Sequence, residues 1–117
     1  MAQTEPEESM TPILQESVTA TTGGAASDVS GDVLSWIEFY VCRVHNTGAQ
    51  TVAINEPGMA AASTSGVMLA SGASSPLMGP YRRALLDGTG TNSLRLTTAS
   101  STSACGVTWY ALTDEPV

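Results

Sequence analysis

The sequence predicts an antiparallel β-sandwich, jelly-roll-like or immunoglobulin-like, with an extended N-terminal arm. Two observations carry this. From Val33 to Val117, short runs of aliphatic, aromatic and β-branched residues are separated by clusters of Gly, Ser, Thr and Asn, the punctuation of an all-β domain. Residues 1–32 instead mix Pro6, Pro12, Gly23, Gly24 and Gly31 with acids and contain no base, a composition that does not build its own core. The domain reading is therefore an arm over residues 1–32 and a sandwich over residues 33–117.

Within the arm, Pro12-Ile13-Leu14-Gln15-Glu16-Ser17-Val18-Thr19-Ala20-Thr21 alone has enough apolar and β-branched character to order. It suits addition as a strand to a neighbouring sheet, where main-chain hydrogen bonds give affinity and alternate side chains give register. Ile13, Leu14 and Val18 are its candidate partner contacts. Residues before Thr11 read equally well as a solubilising tail.

The module begins with Trp36-Ile37-Glu38-Phe39-Tyr40-Val41-Cys42-Arg43-Val44, whose two period-two faces are both largely apolar, as expected of a strand covered on both sides. His45-Asn46-Thr47-Gly48-Ala49 then supplies turn residues that tolerate positive φ, and Gln50–Asn55 reads as the second strand of a β-hairpin. Pro57–Ser65 is expected as a long loop with at most one helical turn. Val67-Met68-Leu69 is a short strand, and Gly79-Pro80 is a break. Tyr81–Leu86 reads as a strand that is also compatible with a helical turn, Asp87–Asn92 as a turn, and Ser93–Thr98 as a strand with Leu94 and Leu96 on one face. Ala104–Leu112 closes the fold. Trp36 and Trp109 are expected in the core or at a subunit interface.

Charge narrows the function. The net charge is -7 and the only bases are Arg43, Arg82, Arg83 and Arg95, so the chain lacks the cationic surface that nucleic-acid binding needs. The arm carries Glu5, Glu7, Glu8, Glu16, Asp28 and Asp32, whereas from Phe39 onward Glu56, Asp87, Asp114 and Glu115 balance the arginines. A basic partner surface would attract the arm. No window approaches the roughly 20 apolar residues of a membrane-spanning helix, and Glu5, Glu7 and Glu8 are the reverse of a cationic signal-peptide start. The expectation is a protein made in the cytoplasm with no membrane partner.

Catalysis is not expected. His45 is the only histidine and lysine is absent, which leaves no base–nucleophile pair. Neither a cofactor nor a metal is expected, because Cys42 and Cys105 lie far apart without Cys-x-x-Cys spacing. They read as small buried hydrophobes, with a disulfide as the alternative. Arg82-Arg83 is the only basic doublet and the best single site candidate. On a strand the two would point to opposite faces, one toward a carboxylate inside an oligomer and one toward an outside partner. Two solvated arginines beside a turn are the plainer alternative.

The order of motifs resembles small β-sandwich structural proteins of tailed-phage virions. It comprises a Val-x-Asn-Thr-Gly-x-x-x-Val-x-Ile segment (Val44–Ile54), a Gly-Val-x-Leu-x-x-Gly strand and turn (Gly66–Gly72), an apolar strand (Tyr81–Leu86), a Ser-x-Arg-Leu strand (Ser93–Leu96) and a C-terminal strand (Val107–Leu112). In size and arm placement the chain is most similar to head decoration, or cement, proteins. That resemblance implies a non-enzymatic stabiliser on the capsid exterior, a homo-oligomer, often a trimer, whose partner is the major capsid protein. It also implies a terminal arm that reaches a neighbouring subunit or the major capsid protein. Trp36, Arg82 and Arg83 are candidate partner contacts from their own residue types, and the Arg82-Arg83 pair departs from the plain apolar strand of such proteins. The alternative is a tail, collar or fibre-associated module that recognises a receptor or glycan through the loops at Pro57–Ser65 and Asp87–Asn92.

Overall fold

The computed structural model describes residues 9–29 and 37–113 of the 117-residue chain. In chain order its elements are β1 (Ser9–Ala20), β2 (Ala25–Ser27), β3 (Phe39–Asn46), β4 (Val52–Asn55), β5 (Val67–Leu69), β6 (Met78–Arg82), a 3-10 turn (Arg83–Leu85), β7 (Leu94–Thr98) and β8 (Ser103–Thr113). They form two four-stranded antiparallel sheets, β1-β8-β3-β6 and β2-β7-β4-β5, called A and B below.

The pairing is nested: β1 with β8, β2 with β7, β3 with β6, and β4 with β5. A long antiparallel ribbon wrapped into two sheets in this way is a jelly roll. The sandwich reading therefore holds, and of the two forms considered it is the jelly roll.

Alternation explains the core. On β8, Cys105, Val107, Trp109 and Ala111 point inward, and β3 sets Tyr40, Cys42 and Val44 opposite Ala111, Trp109 and Val107. Sheet B answers with Val52, Ile54, Leu69, Leu94 and Leu96, all buried. Trp109 is fully buried and meets the Tyr81 ring edge-on at 6.4 Å.

Three sequence expectations change. Residues 9–29, read as arm, are part of the sandwich: β1 pairs with β8 over its whole length, β2 pairs with β7, and Ala20 and Val29 are fully buried. Pro12–Thr21 does add as a strand, but to its own chain's sheet, since Leu14, Glu16, Val18 and Ala20 alternate inward opposite β8. Residues 1–8 and 114–117 lie outside the described residues.

The expected hairpin at His45–Asn55 is a crossing between sheets, because β3 belongs to A and β4 to B. The reason is Asn46. Its buried amide nitrogen donates to the carbonyls of Gln50 and Leu69, and its Oδ1 accepts from the Gly48 N–H and the Ser103 hydroxyl. These bonds turn the chain across the end of the sandwich. A Cβ on Gly48 would fall 2.2 Å from Ser103 Oγ and 2.5 Å from the Ala104 nitrogen, so the crossing needs glycine there.

Gly79-Pro80 does not break the chain. β6 runs through it as a bulged edge strand, the place in a sheet where a residue without an N–H is tolerated. Beyond Arg82 the backbone turns into the 3-10 segment, the second of the two conformations expected for Tyr81–Leu86.

Candidate partner-binding surface

A β-sandwich can associate through its strand edges, its outer faces or its loops. The edges are blunted, as sheet proteins do to prevent strand addition. β2 and β5 are three residues long. β6 carries Pro80 and a register shift between Tyr40 and Cys42 on its partner. β1 carries Pro12 and a shift between Pro12 and Leu14, and it turns the carboxylate of Glu16 inward.

That inward acid is held by a cross-sheet chain of hydrogen bonds. The Trp109 indole Nε1–H donates to Ser27 Oγ at 3.0 Å, and the Ser27 hydroxyl donates to Glu16 Oε2 at 2.6 Å. Trp109 lies on sheet A and Ser27 on sheet B, so one serine ties the two layers and fixes the edge.

The outer face of sheet A is different. Phe39, Tyr110, Leu112 and Pro12 share it at the end where β1 begins, together with Val41, which is itself buried. Register aligns Met10, Leu112, Phe39 and Arg82 in one row across all four strands. Phe39 is exposed, and the Arg82 guanidinium sits 5.7 Å from its ring centroid, within cation–π range. Arg43 lies further along the same face. The outward strand positions named here include no acid, and Glu38 borders the row.

The expectation that Arg82 and Arg83 face opposite ways fails because Arg83 has left the strand. Both guanidiniums approach the same carboxylate: Arg82 lies 3.9 Å from Glu38 Oε2 and Arg83 lies 3.8 Å from Glu38 Oε1. The Arg83 N–H also donates to the Glu38 carbonyl at 2.8 Å. Arg83 Nε is buried with no hydrogen-bond partner among the described residues. Two cations thus share one acid, at the long end of ion-pair range.

Ile13, Leu14 and Val18 pack against their own chain's core. All three stay half-buried on a strand that pairs with β8 of the same chain. Trp36 lies outside the described residues. Sequence reasoning missed Phe39, Tyr110 and Leu112 as a surface. The signal available was the strand at Trp36–Val44 with two apolar faces, only one of which the core uses.

The two loops nominated for recognition are brought together. The Gly58 N–H donates to the Thr91 carbonyl at 2.8 Å, and Met59 beside it is exposed. The loops are also fixed. Asn55 holds Ala62 and Ser65 through their backbones. Asp87 Oδ1 accepts from the Thr89 N–H, the Thr89 hydroxyl and Asn92 Nδ2, bonds that hold its carboxyl below the usual range.

Cys42 and Cys105 are buried free thiols. Cys42 faces Trp109 while Asn46 faces Cys105, so the two are offset by four residues, roughly 13 Å along the strand, too far for a disulfide. Burial, with a smaller contribution from the Glu56 charge, pushes the Cys42 thiol up to about 12. The Tyr81 hydroxyl donates to Glu56 Oε2 at 2.8 Å, and burial followed by that bond raises its pKa as well. His45 is exposed and its Nδ1 is bonded to Ser74 Oγ. Among the described residues no group of three or more metal-ligating side chains occurs, and no helix is long and apolar enough to cross a membrane.

No protein-family model matches this chain, and no curated protein is significantly similar to it. What the fold and surface define is a class: a jelly-roll domain with blunted edges and an apolar, arginine-bearing face.

Proposed function

We propose that this chain is a non-enzymatic structural protein of a tailed-phage virion that binds the outside of the assembled capsid and stabilises it. Its partners on this reading are the major capsid protein and further copies of itself, as a trimer. The observation that carries the reading is the nested strand pairing, the jelly roll that recurs in viral capsid proteins. This is support by analogy of architecture, added to the order of motifs in the sequence.

The mechanism is mechanical. A rigid module seated across a boundary between capsid subunits adds buried area, and a specific interface needs about 1,200–2,000 Å². The blunted edges favour contact through the outer face of sheet A, where Phe39, Tyr110, Leu112 and Arg82 offer aromatic and arginine anchors of the kind that dominate interface energetics. No catalytic step is invoked.

A second reading is favoured by the bond between Gly58 and Thr91. It joins the two turn-rich loops into one fixed surface suited to a receptor or glycan, as on a tail or fibre module. Quantitative mass spectrometry of purified particles separates the two. Copies in symmetric proportion to the major shell protein support the capsid role, a handful per particle supports the tail role, and absence from particles overturns both.

A further inference from the structure

We propose that the outer face of sheet A receives the joined loops of a second copy of this chain, so that copies associate head to tail. Met59 of one copy seats against Phe39 and Tyr110 of the next, and Glu56 and Asp87 face Arg43 and Arg82. The inference rests on the self-association in the proposed function, which it deepens by naming both halves of the contact, and it does not depend on the capsid.

Sheet A is the layer left open. On sheet B, Ala53, Asn55 and Thr97 are buried although Ala53 and Thr97 pair on the side away from the core, because the stretch before β5 lies over them. Asn55 Nδ2 donates to the carbonyls of Ala62 and Ser65, and its Oδ1 accepts from the Ala62 N–H and the Thr97 hydroxyl. A Cβ on Gly24 would fall 2.6 Å from the Ala61 Cβ, so the same stretch also closes on the turn between β1 and β2. Sheet A has no such cover among the described residues: Phe39 is 37% exposed, and Tyr110 and Leu112 are half-buried.

Charge then selects the occupant. The outward positions of β3 and β8 hold Arg43, His45 and no acid, and Arg82 flanks them on β6. Arg43 has no ion pair among the described residues. Two such faces brought together would set arginines against arginines, with Glu38 at the border already serving Arg82 and Arg83, so pairing of like faces is disfavoured. The exposed acids among the described residues are Glu38, Glu56 and Asp87. The last two stand on the joined loops.

Those loops carry the apolar half as well. Met59 is 57% exposed, the most exposed large apolar side chain among the described residues. Its N–H donates to the Glu56 carbonyl at 3.0 Å, and the neighbouring Gly58 N–H donates to Thr91 at 2.8 Å, so little ordering is left to be done on contact. A thioether packs favourably on aromatic rings, which Phe39 and Tyr110 supply. Asp87 has only its Oδ1 engaged. Arg95 also reaches these loops, where it is turned onto the Gly90 carbonyl and Ser93 Oγ.

The face measures about 14 Å across three inter-strand gaps and about 20 Å from Phe39 to His45, a footprint at the low end for a specific interface. A contact between two different patches generates a ring where the rotation closes. Each copy in a closed ring makes two contacts, which offsets the weakness of one.

The test uses the full chain in sedimentation velocity over a concentration series, with circular dichroism to confirm that each variant folds. Wild-type chain should associate to the mass of three copies and come apart in 1 M salt, where the Debye length falls to about 3 Å. Arg43→Glu on the face and Met59→Arg on the loop should each weaken association about tenfold or more. Ser100→Arg, exposed at the other end of the sandwich, should leave it unchanged. An equimolar mixture of R43E and M59R chains should associate where neither does alone, because the M59R face still takes the R43E loop. Wild-type chain that stays monomeric at millimolar concentration overturns the proposal together with the oligomeric part of the function. Association that survives R43E, M59R or 1 M salt, or a mixture that associates no better than its components, overturns the head-to-tail contact and leaves the oligomer standing. Open-ended growth in place of three copies supports the contact and overturns the trimer.

Discussion

Replacing Ser27 with alanine tests the tie between the two sheets. Ser27 Oγ accepts from the Trp109 indole and its proton goes to Glu16 Oε2. Trp109 is fully buried, so without Ser27 its N–H has no water to turn to, and an orphaned buried donor costs about 1–3 kcal/mol. The Glu16 carboxylate also loses a bond, but it is half-buried and water can replace the hydroxyl, which adds a few tenths to about 1 kcal/mol. The expected loss is therefore about 2–3 kcal/mol, a large share of the ~5–15 kcal/mol typical of a domain. At roughly 4 °C per kcal/mol for a chain of this size, Tm should fall by about 8–12 °C. Urea unfolding followed by tryptophan fluorescence and far-ultraviolet circular dichroism measures the change.

A double-mutant cycle isolates the bond. Trp109→Phe removes the indole N–H, so S27A in the W109F background should cost at least about 1 kcal/mol less than in the wild-type chain. An S27A cost below about 0.5 kcal/mol, or the same cost in both backgrounds, would refute the reasoning.

Truncation separates the two parts of the N-terminus. A chain lacking residues 1–8 should keep cooperative unfolding, whereas one lacking residues 1–32 loses β1, β2, Ala20 and Val29 and exposes one side of β8; it should fail to give native near-ultraviolet circular dichroism. Alkaline pH should weaken the fold. Cys42 rises from 9.0 in the unfolded chain to about 12 in the folded one, so both states hold the proton below pH 9 and only the unfolded state releases it between 9 and 12. Stability is thus intact below pH 9 and falls above it, by roughly 1 kcal/mol at pH 10, and the raised Tyr81 acts in the same direction. Urea midpoints at pH 8 and pH 10 should show this drop, and C42A should reduce it.

The parts of the fold legible in sequence are those where a single face decides. Leu94 and Leu96 alternate with Arg95 and Thr97, and β7 places both leucines fully buried. β8 is long and β-branched with Trp109 inward. β1 was harder because its inward face reads Leu14, Glu16, Val18, Ala20, with an acid among apolar residues, and its flanking Thr and Gly content matches a linker. Only Ser27, eleven residues on, makes Glu16 acceptable inside, and local pattern cannot show that contact. The crossing after β3 is concealed in the same way: Asn-Thr-Gly is hairpin chemistry, but Asn46 spends its amide on Leu69 and Ser103, which lie far along the chain. Arg82 and Arg83 were found by composition. Their convergence on Glu38 depends on a 3-10 turn that replaces strand geometry after Arg82.

The edges then constrain how any assembly forms. Strand addition needs a straight row of free N–H and C=O groups, and β1, the longest edge, interrupts that row at Pro12 and at its bulge while burying a carboxylate behind it. β6 interrupts it at Pro80, and β2 and β5 are too short to template a partner. A neighbour pairing with β1 would also have to leave Glu16 and Ser27 undisturbed, since their displacement strands the Trp109 indole in the core. Under the proposed oligomeric role, copies would meet through faces and loops, and the face with aromatic and guanidinium groups already side by side is the outer side of sheet A. The sequence reading placed a partner contact in the segment around Ile13; in the fold that segment pairs with β8 and packs on its own chain's core.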